Sequence, residues 1–269
     1  MKIALTNPRL TIDSVMSENE KILFNLFYLI ADCKDSFWAT DEKSYIIGQT
    51  NERLAMWVWM QENVSEEACT EIESVIEERL ELNPKLKITA DEARIRPVLD
   101  RIARHRKVSY SSMVPMVVYR CDQVINNKKV DGTMILSTGE HKKILEKFIT
   151  GMVLDLEKRS MYEGEAEGFA NAVAGSEDLY LWEDQGQPVA MAMIVHRTEE
   201  FARINTVYTD SEKRGKGYAG MLVGGLTQKV LDEGRIPMLY TEQDNVCSNA
   251  VYQRIGYTSC GELTQFQFD

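Results

Sequence analysis

The chain has 269 residues, of which 44% are hydrophobic and 27% charged, and its formal net charge is −11. This is the composition of an ordinary globular protein, long enough for one large domain or two average ones. No apolar run approaches the ~20 residues that cross a bilayer, and the opening MKIALTNPRL lacks the apolar core of an export signal, so the expected setting is the cytoplasm, away from membranes. Five scattered cysteines form no Cys-x-x-Cys, which suits a reducing compartment. Three histidines (105, 141, 196) have no metal-ligand spacing, and no metal is expected. Residues 1–130 carry 18 basic and 20 acidic side chains, a balance of −2, and residues 131–269 carry 13 and 22, a balance of −9. Such a field disfavours nucleic acid and suits a cationic partner or plain solubility.

The first half opens with apolar residues at helical spacing in Glu20–Phe27. A strand, polar turn and strand come next, from Tyr45 through Gly48 and Asn51 to Met56–Val58. Ser65–Leu82 reads as an acidic amphipathic helix: Ala68, Ile72, Val75, Ile76, Arg79 and Leu80 form one mostly apolar stripe. Glu66 and Glu67 suit its first turn, and Asn83-Pro84 stops it.

The turn-prone stretch Asn126–Gly132 reads as a linker, dividing the chain into domains 1–128 and 129–269. Beyond it the pattern repeats. Lys142–Ile149 echoes Glu20–Phe27, Tyr180–Met191 echoes Tyr45–Met56, and Val251–Gly256 echoes Val98–Ala103. Three echoes in one order predict two copies of one architecture. By this alignment the first copy lacks the strand Arg203–Thr209 and the glycine-rich turn after it, and Leu99 stands where the second copy has Tyr252.

That turn, Arg214-Gly-Lys-Gly-Tyr-Ala219, leads into a helix over Tyr218–Glu233. Gly215 and Gly217 can adopt backbone angles closed to other residues and let a ligand approach the main chain. Successive N–H groups at a helix N-terminus then form an anion cradle, to which Arg214 and Lys216 add full charges. The matching guest is a diphosphate. A second strand, Ile236–Thr241, and a short helix through Asn245, Asn249 and Tyr252 to Gly256-Tyr257 complete the pattern.

Arg214-x-x-Gly217-x-Ala219, succeeded by Asn249-x-x-Tyr252-x-x-x-Gly256-Tyr257, resembles the GNAT superfamily of acyl-CoA-dependent N-acetyltransferases over roughly residues 131–269. The resemblance implies an α/β (α+β) fold of two tandem GNAT-like mixed-sheet domains, the first without the CoA-binding loop. It also implies acetyl-CoA as co-substrate, held by the cradle (Arg214, Gly215, Lys216, Gly217, Tyr218, Ala219) and by the main chain of Val207, Tyr208 and Thr209 along the pantetheine arm. The strand there should be splayed, leaving an N–H near Val207 or Tyr208 for the thioester oxygen.

Tyr252 matches the family's tyrosine, a phenol of pKa ~10 able to protonate a thiolate whose conjugate acid has pKa ~8.5. Asn249 and Asn245 are expected on the pantetheine amides, although Asn245 also suits a helix cap. The general base stays open among Glu242, His196, the weaker Glu199 and Glu200, and water. Glu163, Glu165 and Glu167 lie in the segment that lines the acceptor pocket in this family, where carboxylates would hold an amine. The expected reaction is direct N-acetylation of a small amine. A non-catalytic acyl-CoA sensor, a different acyl donor and a peptide amine remain alternatives, and homodimerisation is open.

Overall fold

The computed structural model describes residues 7–125 and 129–269. The cut at 128/129 and part of the linker reading, Asn126–Lys128, fall outside the described residues. The chain forms two compact units, one of residues 1–119, 240–245 and 259–269, the other of residues 120–239 and 246–258. Chain order and packing therefore differ: residues 259–269 of the second half complete the first unit, and residues 120–125 belong to the second.

The first unit opens with helices α1 (Pro8–Val15), α2 (Glu18–Leu23) and α3 (Leu26–Ala31). Strands β1 (Phe37–Thr40), β2 (Tyr45–Gln49) and β3 (Met56–Met60) follow in antiparallel succession. Helix α4 (Glu66–Leu82) crosses over to β4 (Lys87–Ala90), which pairs parallel with β3 from Met56↔Ile88 to Val58↔Ala90. Helix α5 (Glu92–Arg106) and strands β5 (Tyr110–Ser112) and β6 (Met116–Arg120) end this half of the chain.

Strand alternation sorts the apolar residues onto two faces. Tyr45, Ile47, Met56, Val58 and Met60 join Ile72, Ile76 and Leu80 of α4 and Ile95, Val98, Leu99 and Ile102 of α5 in one core. Trp38 and Trp57 meet Phe27 and Phe24 instead, with ring centroids 5.6 and 6.5 Å apart. A Cβ on Gly48 would lie 2.9 Å from Trp38, so only glycine admits this packing.

The second unit contains β7 (Thr133–Leu136), α6 (Lys142–Glu157), α7 (Glu165–Val173), β8 (Leu179–Asp184), β9 (Gln187–Val195), β10 (Phe201–Thr209), α8 (Tyr218–Asp232) and the first four residues of β11 (Ile236–Glu242), whose last three belong to the first unit, followed by α9 (Val246–Ile255). Strands β7 to β10 form an antiparallel meander, and β11 joins β10 in parallel through the α8 crossover. One face packs Leu145, Phe148, Ile149 and Val153 of α6 against Leu179, Leu181 and Met191. The last strand, β12 (Thr258–Phe268), pairs antiparallel with β4 (Thr264↔Ala90 to Gln267↔Lys87) and with β5, and buries Phe266 and Phe268 in the first unit's core.

The pairing corrects one sequence expectation. In each unit a strand, a helix and a parallel neighbour occur in order: β3–α4–β4 and β10–α8–β11. By pairing, then, β3 is the counterpart of β10, and the first half does not lack that strand. Its version is shorter, and it is followed by the five residues 61–65 before the helix instead of the eight residues 210–217. The echo of Tyr45–Met56 with Tyr180–Met191 is one strand out of step, because apolar alternation looks alike in successive strands of a meander.

Candidate active site

Strand β10 has an open edge. It pairs with β11 from Phe201↔Ile236 to Arg203↔Met238 and no further, so from Ile204 onward β9 is its partner. The β9 register also breaks: Asn205 faces Met193 and Tyr208 faces Met191, which sets Thr206 and Val207 against the single Ala192. This is a β-bulge, which disrupts the ladder and re-aims the backbone. Thr206 adopts φ +54°, a conformation that costs a β-branched residue about 1–3 kcal/mol and is characteristic of sites where strain is retained for use. The result is a strand edge with main-chain donors and acceptors available beside Val207–Thr209, the geometry by which an extended ligand adds itself to a sheet.

The chain then turns through Asp210–Gly217 into α8. Gly215 and Gly217 have φ +79° and +94°, and a Cβ on Gly215 would meet nothing within 4 Å. Gly217 is the N-cap and supplies no side-chain cap, and the first turn holds no acidic residue. The first bond of the helix runs from the Met221 N–H to the Gly217 carbonyl at 3.1 Å. The preceding N–H groups of Tyr218, Ala219 and Gly220 have no partner within the helix and carry its positive dipole end. Lys216 Nζ lies 6.0 Å from the Tyr218 ring centroid, and the Tyr218 hydroxyl donates to Asp184 Oδ2 at 2.6 Å.

One face of α6 braces this turn through residues spaced by four. Lys147 donates to buried Asp210 at 2.6 Å, Gly151 backs onto Tyr208, and Asp155 pairs with Arg214. A Cβ on Gly151 would sit 2.1 Å from the Tyr208 hydroxyl, so the glycine that weakens the helix permits a tyrosine to lie against it. Tyr208 is also flanked by Phe148, at 5.7 Å between centroids, and by the Arg214 guanidinium, at 5.3 Å. Arg214 Nε donates to the Thr209 carbonyl at 3.1 Å. Burial raises the Asp210 carboxyl, but Lys147, the amide of Glu212 and the charge of Lys213 together outweigh it and hold its pKa below the ordinary value. Sequence reasoning misses this brace. Its only signal is Lys147, Gly151 and Asp155 at i, i+4 and i+8.

Helix α9 packs beside the start of α8, where Val251 comes within 3.7 Å of a Cβ built on Gly220. It brings half-buried Asn249 and buried Tyr252 to the same end of the unit. Burial pushes the Tyr252 phenol up to about 12, with the Ser248 hydroxyl pulling the other way. Tyr252 packs edge-on to Tyr257 at 6.1 Å, and the Tyr257 hydroxyl meets Thr227 Oγ1 at 2.8 Å. Gly256, at φ +117°, passes so close to the Gln123 carbonyl that a Cβ would lie 2.4 Å from it.

The remaining expected residues do not gather around the cradle. His196 comes after β9 at φ +52°, opposite the start of β10 and four residues from the bulge, roughly 13 Å at ~3.3 Å per residue. Although the residue is exposed, partial desolvation of its ring and then the Arg203 charge lower its pKa to about 4, which leaves it a weak base at neutral pH. Glu242 is exposed at the end of β11 and Asn245 is half-buried, with its N–H on the Glu242 carbonyl at 3.1 Å. Both belong to the first unit. Glu165 is already engaged: Arg159 grips it with two bonds of 2.8 and 2.9 Å, and with the Tyr162 amide this lowers its carboxyl to about 2. Glu163, just before α7, and Glu167, in its first turn, are exposed.

Residues 184–265 match the family model described as FR47-like protein. A search of curated proteins finds no match. Among solved structures, a GNAT-family acetyltransferase from Colwellia psychrerythraea superposes with a TM-score of 0.61 at 16% identity, covering 100% of this chain and 99% of that one. A GCN5-related N-acetyltransferase from Kribbella flavida gives 0.63 at 12% identity, over 98% and 96% of the two chains. A Drosophila protein gives 0.64 at 9% identity, over 100% and 98%. At these identities the likeness concerns the fold, and it extends over both halves of the chain. Among the described residues no helix is long and apolar enough to cross a membrane.

Proposed function

We propose, from the premise that this chain has the GNAT acyltransferase fold throughout and an FR47-like region over residues 184–265, that it transfers an acetyl group from acetyl-CoA directly to the amine of a small molecule. The observation that carries this reading is the continuity of the bulged open edge of β10 with the uncapped N-terminus of α8. Main-chain groups of Val207 to Thr209 hold the pantetheine arm. The N–H groups from Gly215 to Ala219, with Lys216 and Arg214, hold the diphosphate. An N–H at the bulge, Val207 or Tyr208, donates to the thioester oxygen and steadies the charge that develops as the carbonyl becomes tetrahedral. Asn249 bonds the pantetheine amides.

Tyr252 gives its phenolic proton to the departing sulfur. Raised to about 12, the phenol is fully protonated at pH 7 and serves as a hydrogen-bond donor in the transition state. The amine must arrive neutral or lose its proton on the way. The lowered pKa leaves His196 little affinity for a proton, so water is the favoured carrier for that step. With Glu165 engaged by Arg159, Glu163 and Glu167 are the acidic groups of this segment left to attract a cationic acceptor.

Calorimetric titration with acetyl-CoA, paired with release of free thiol in the presence of a panel of amines, polyamines and peptides, tests the proposal. We expect micromolar binding and thiol release dependent on one class of amine. Binding without release from any acceptor would favour a sensor, and absence of binding would remove the proposal.

A further inference from the structure

The first unit holds an open surface pocket of about 460 Å³ lined by Asp35, Phe37, Asn51, Glu52, Arg53 and Arg79. This volume is typical of small-molecule sites. Arg79 stands out among these residues. It lies on the apolar stripe of α4 and is only 9% exposed. Its Nε donates to Gln49 Oε1 at 2.9 Å, and Gln49 is fixed in turn by its own bond to the Leu54 carbonyl at 2.8 Å. The guanidinium carbon stacks 4.7 Å from the centroid of the Phe37 ring. Among the described residues no carboxylate oxygen lies within 4.0 Å of its nitrogens.

A buried cation without a counter-charge is costly. Here the chain holds one rigidly by a neutral amide and an aromatic face, beside empty volume. We propose that this pocket binds a small organic monocarboxylate, with Arg79 as its anchor. A guanidinium fork matches a carboxylate with two parallel bonds, and Phe37, which also lines the pocket, supplies an apolar side chain for a short carbon chain. Asp35 and Glu52 also line the pocket, beyond 4.0 Å from the Arg79 nitrogens, and a monocarboxylate meets less repulsion from them than a dianion does. One added negative charge is tolerated there, whereas a phosphate dianion meets two carboxylates. The site is separate from the β10–α8 cradle and does not depend on the reading of that cradle.

Titration of the full chain with propionate, followed by nitrogen-15 NMR, tests this directly. We expect saturable shifts at residues 35–37 and 51–53 and at the Arg79 side chain, with weaker binding of inorganic phosphate and none of propylamine. Arg79→Gln should weaken propionate at least tenfold and leave acetyl-CoA affinity within twofold. If Arg79→Gln fails to fold, Asn51→Trp, which crowds the same pocket and keeps Arg79, should weaken propionate by a similar factor. Phosphate binding tighter than propionate overturns the proposal. So does failure to saturate by about 50 mM, weaker than any site of use, or undiminished propionate binding in whichever variant folds.

Discussion

The two units solve the same crossover in opposite ways. After β3, the first unit closes its helix on itself: the Ser65 hydroxyl accepts the Ala68 N–H at 3.2 Å, and Glu66 and Glu67 occupy the first turn of α4. After β10, the second unit leaves its helix start uncapped, with glycine at the cap, no acid in the first turn and basic residues ahead of it. The strand before it is bulged where β3 is regular. A helix N-terminus presents the same unpaired donors wherever it occurs. Whether it serves folding or a ligand depends on whether the chain fills it. By this criterion the start of α4 is filled by its own chain, while the start of α8 is left open.

The sharpest way to break the contrast is to place in the second turn the acid that the first unit keeps. Gly215→Glu should lower acetyl-CoA affinity at least 100-fold by calorimetry, and the φ of +79° should cost only about 1 kcal/mol of stability because no atom crowds that position. Affinity within threefold of the unaltered protein would mean that the cradle is not the nucleotide site. Next in size is Tyr252→Phe, which makes α9 resemble α5, where Leu99 is the sequence echo. The rate of thiol release should fall about 10–100-fold with the dissociation constant of acetyl-CoA unchanged. Equal loss in both would reduce Tyr252 to a packing role.

The reciprocal change in the first unit is smaller. Ser65→Ala should destabilise the protein by about 1 kcal/mol in denaturant unfolding and leave acetyl-CoA binding untouched. The smallest effect belongs to the turn between β9 and β10. His196→Ala should alter the rate less than twofold. Its native pKa of about 4 lies below the ordinary 6.5, so the unfolded chain binds more protons between those values. This group's contribution to stability is therefore complete above pH ~6.5 and declines as pH falls toward 4. The variant should show a shallower acid limb over that window.

Much of the fold and of the cradle is legible in the sequence, because the local signals are strong. The two glycines beside Lys216 need no tertiary information to mark a left-handed turn ahead of a helix, and α4 and α8 fall within a residue of their expected bounds. The strand match between the two halves misleads because alternating apolar residues carry no label for which strand of a meander they build, and only the parallel partner settles it. Gly151 reads as a weak point in α6, since nothing in one strand or one helix announces that Tyr208 will lie against it. Arg79 is visible as a charge on an apolar stripe, yet its isolation depends on what surrounds it in space. Glu165 is lost to the acceptor site through Arg159, six residues away, a pairing that the helix start at residue 165 creates.

The placement of β12 has a consequence for synthesis. Strand β4 is flanked by β3 on one side and by β12 on the other, and the two segments lie more than 160 residues apart in the chain. A ribosome adding residues at about 5–20 per second leaves the β4 edge and the seats of Phe266 and Phe268 waiting roughly ten to thirty seconds. During that interval the nascent chain exposes an unpaired strand to any passing neighbour. Translation speed, or a chaperone able to shield that edge, should therefore govern yield more than the stability of the finished molecule does.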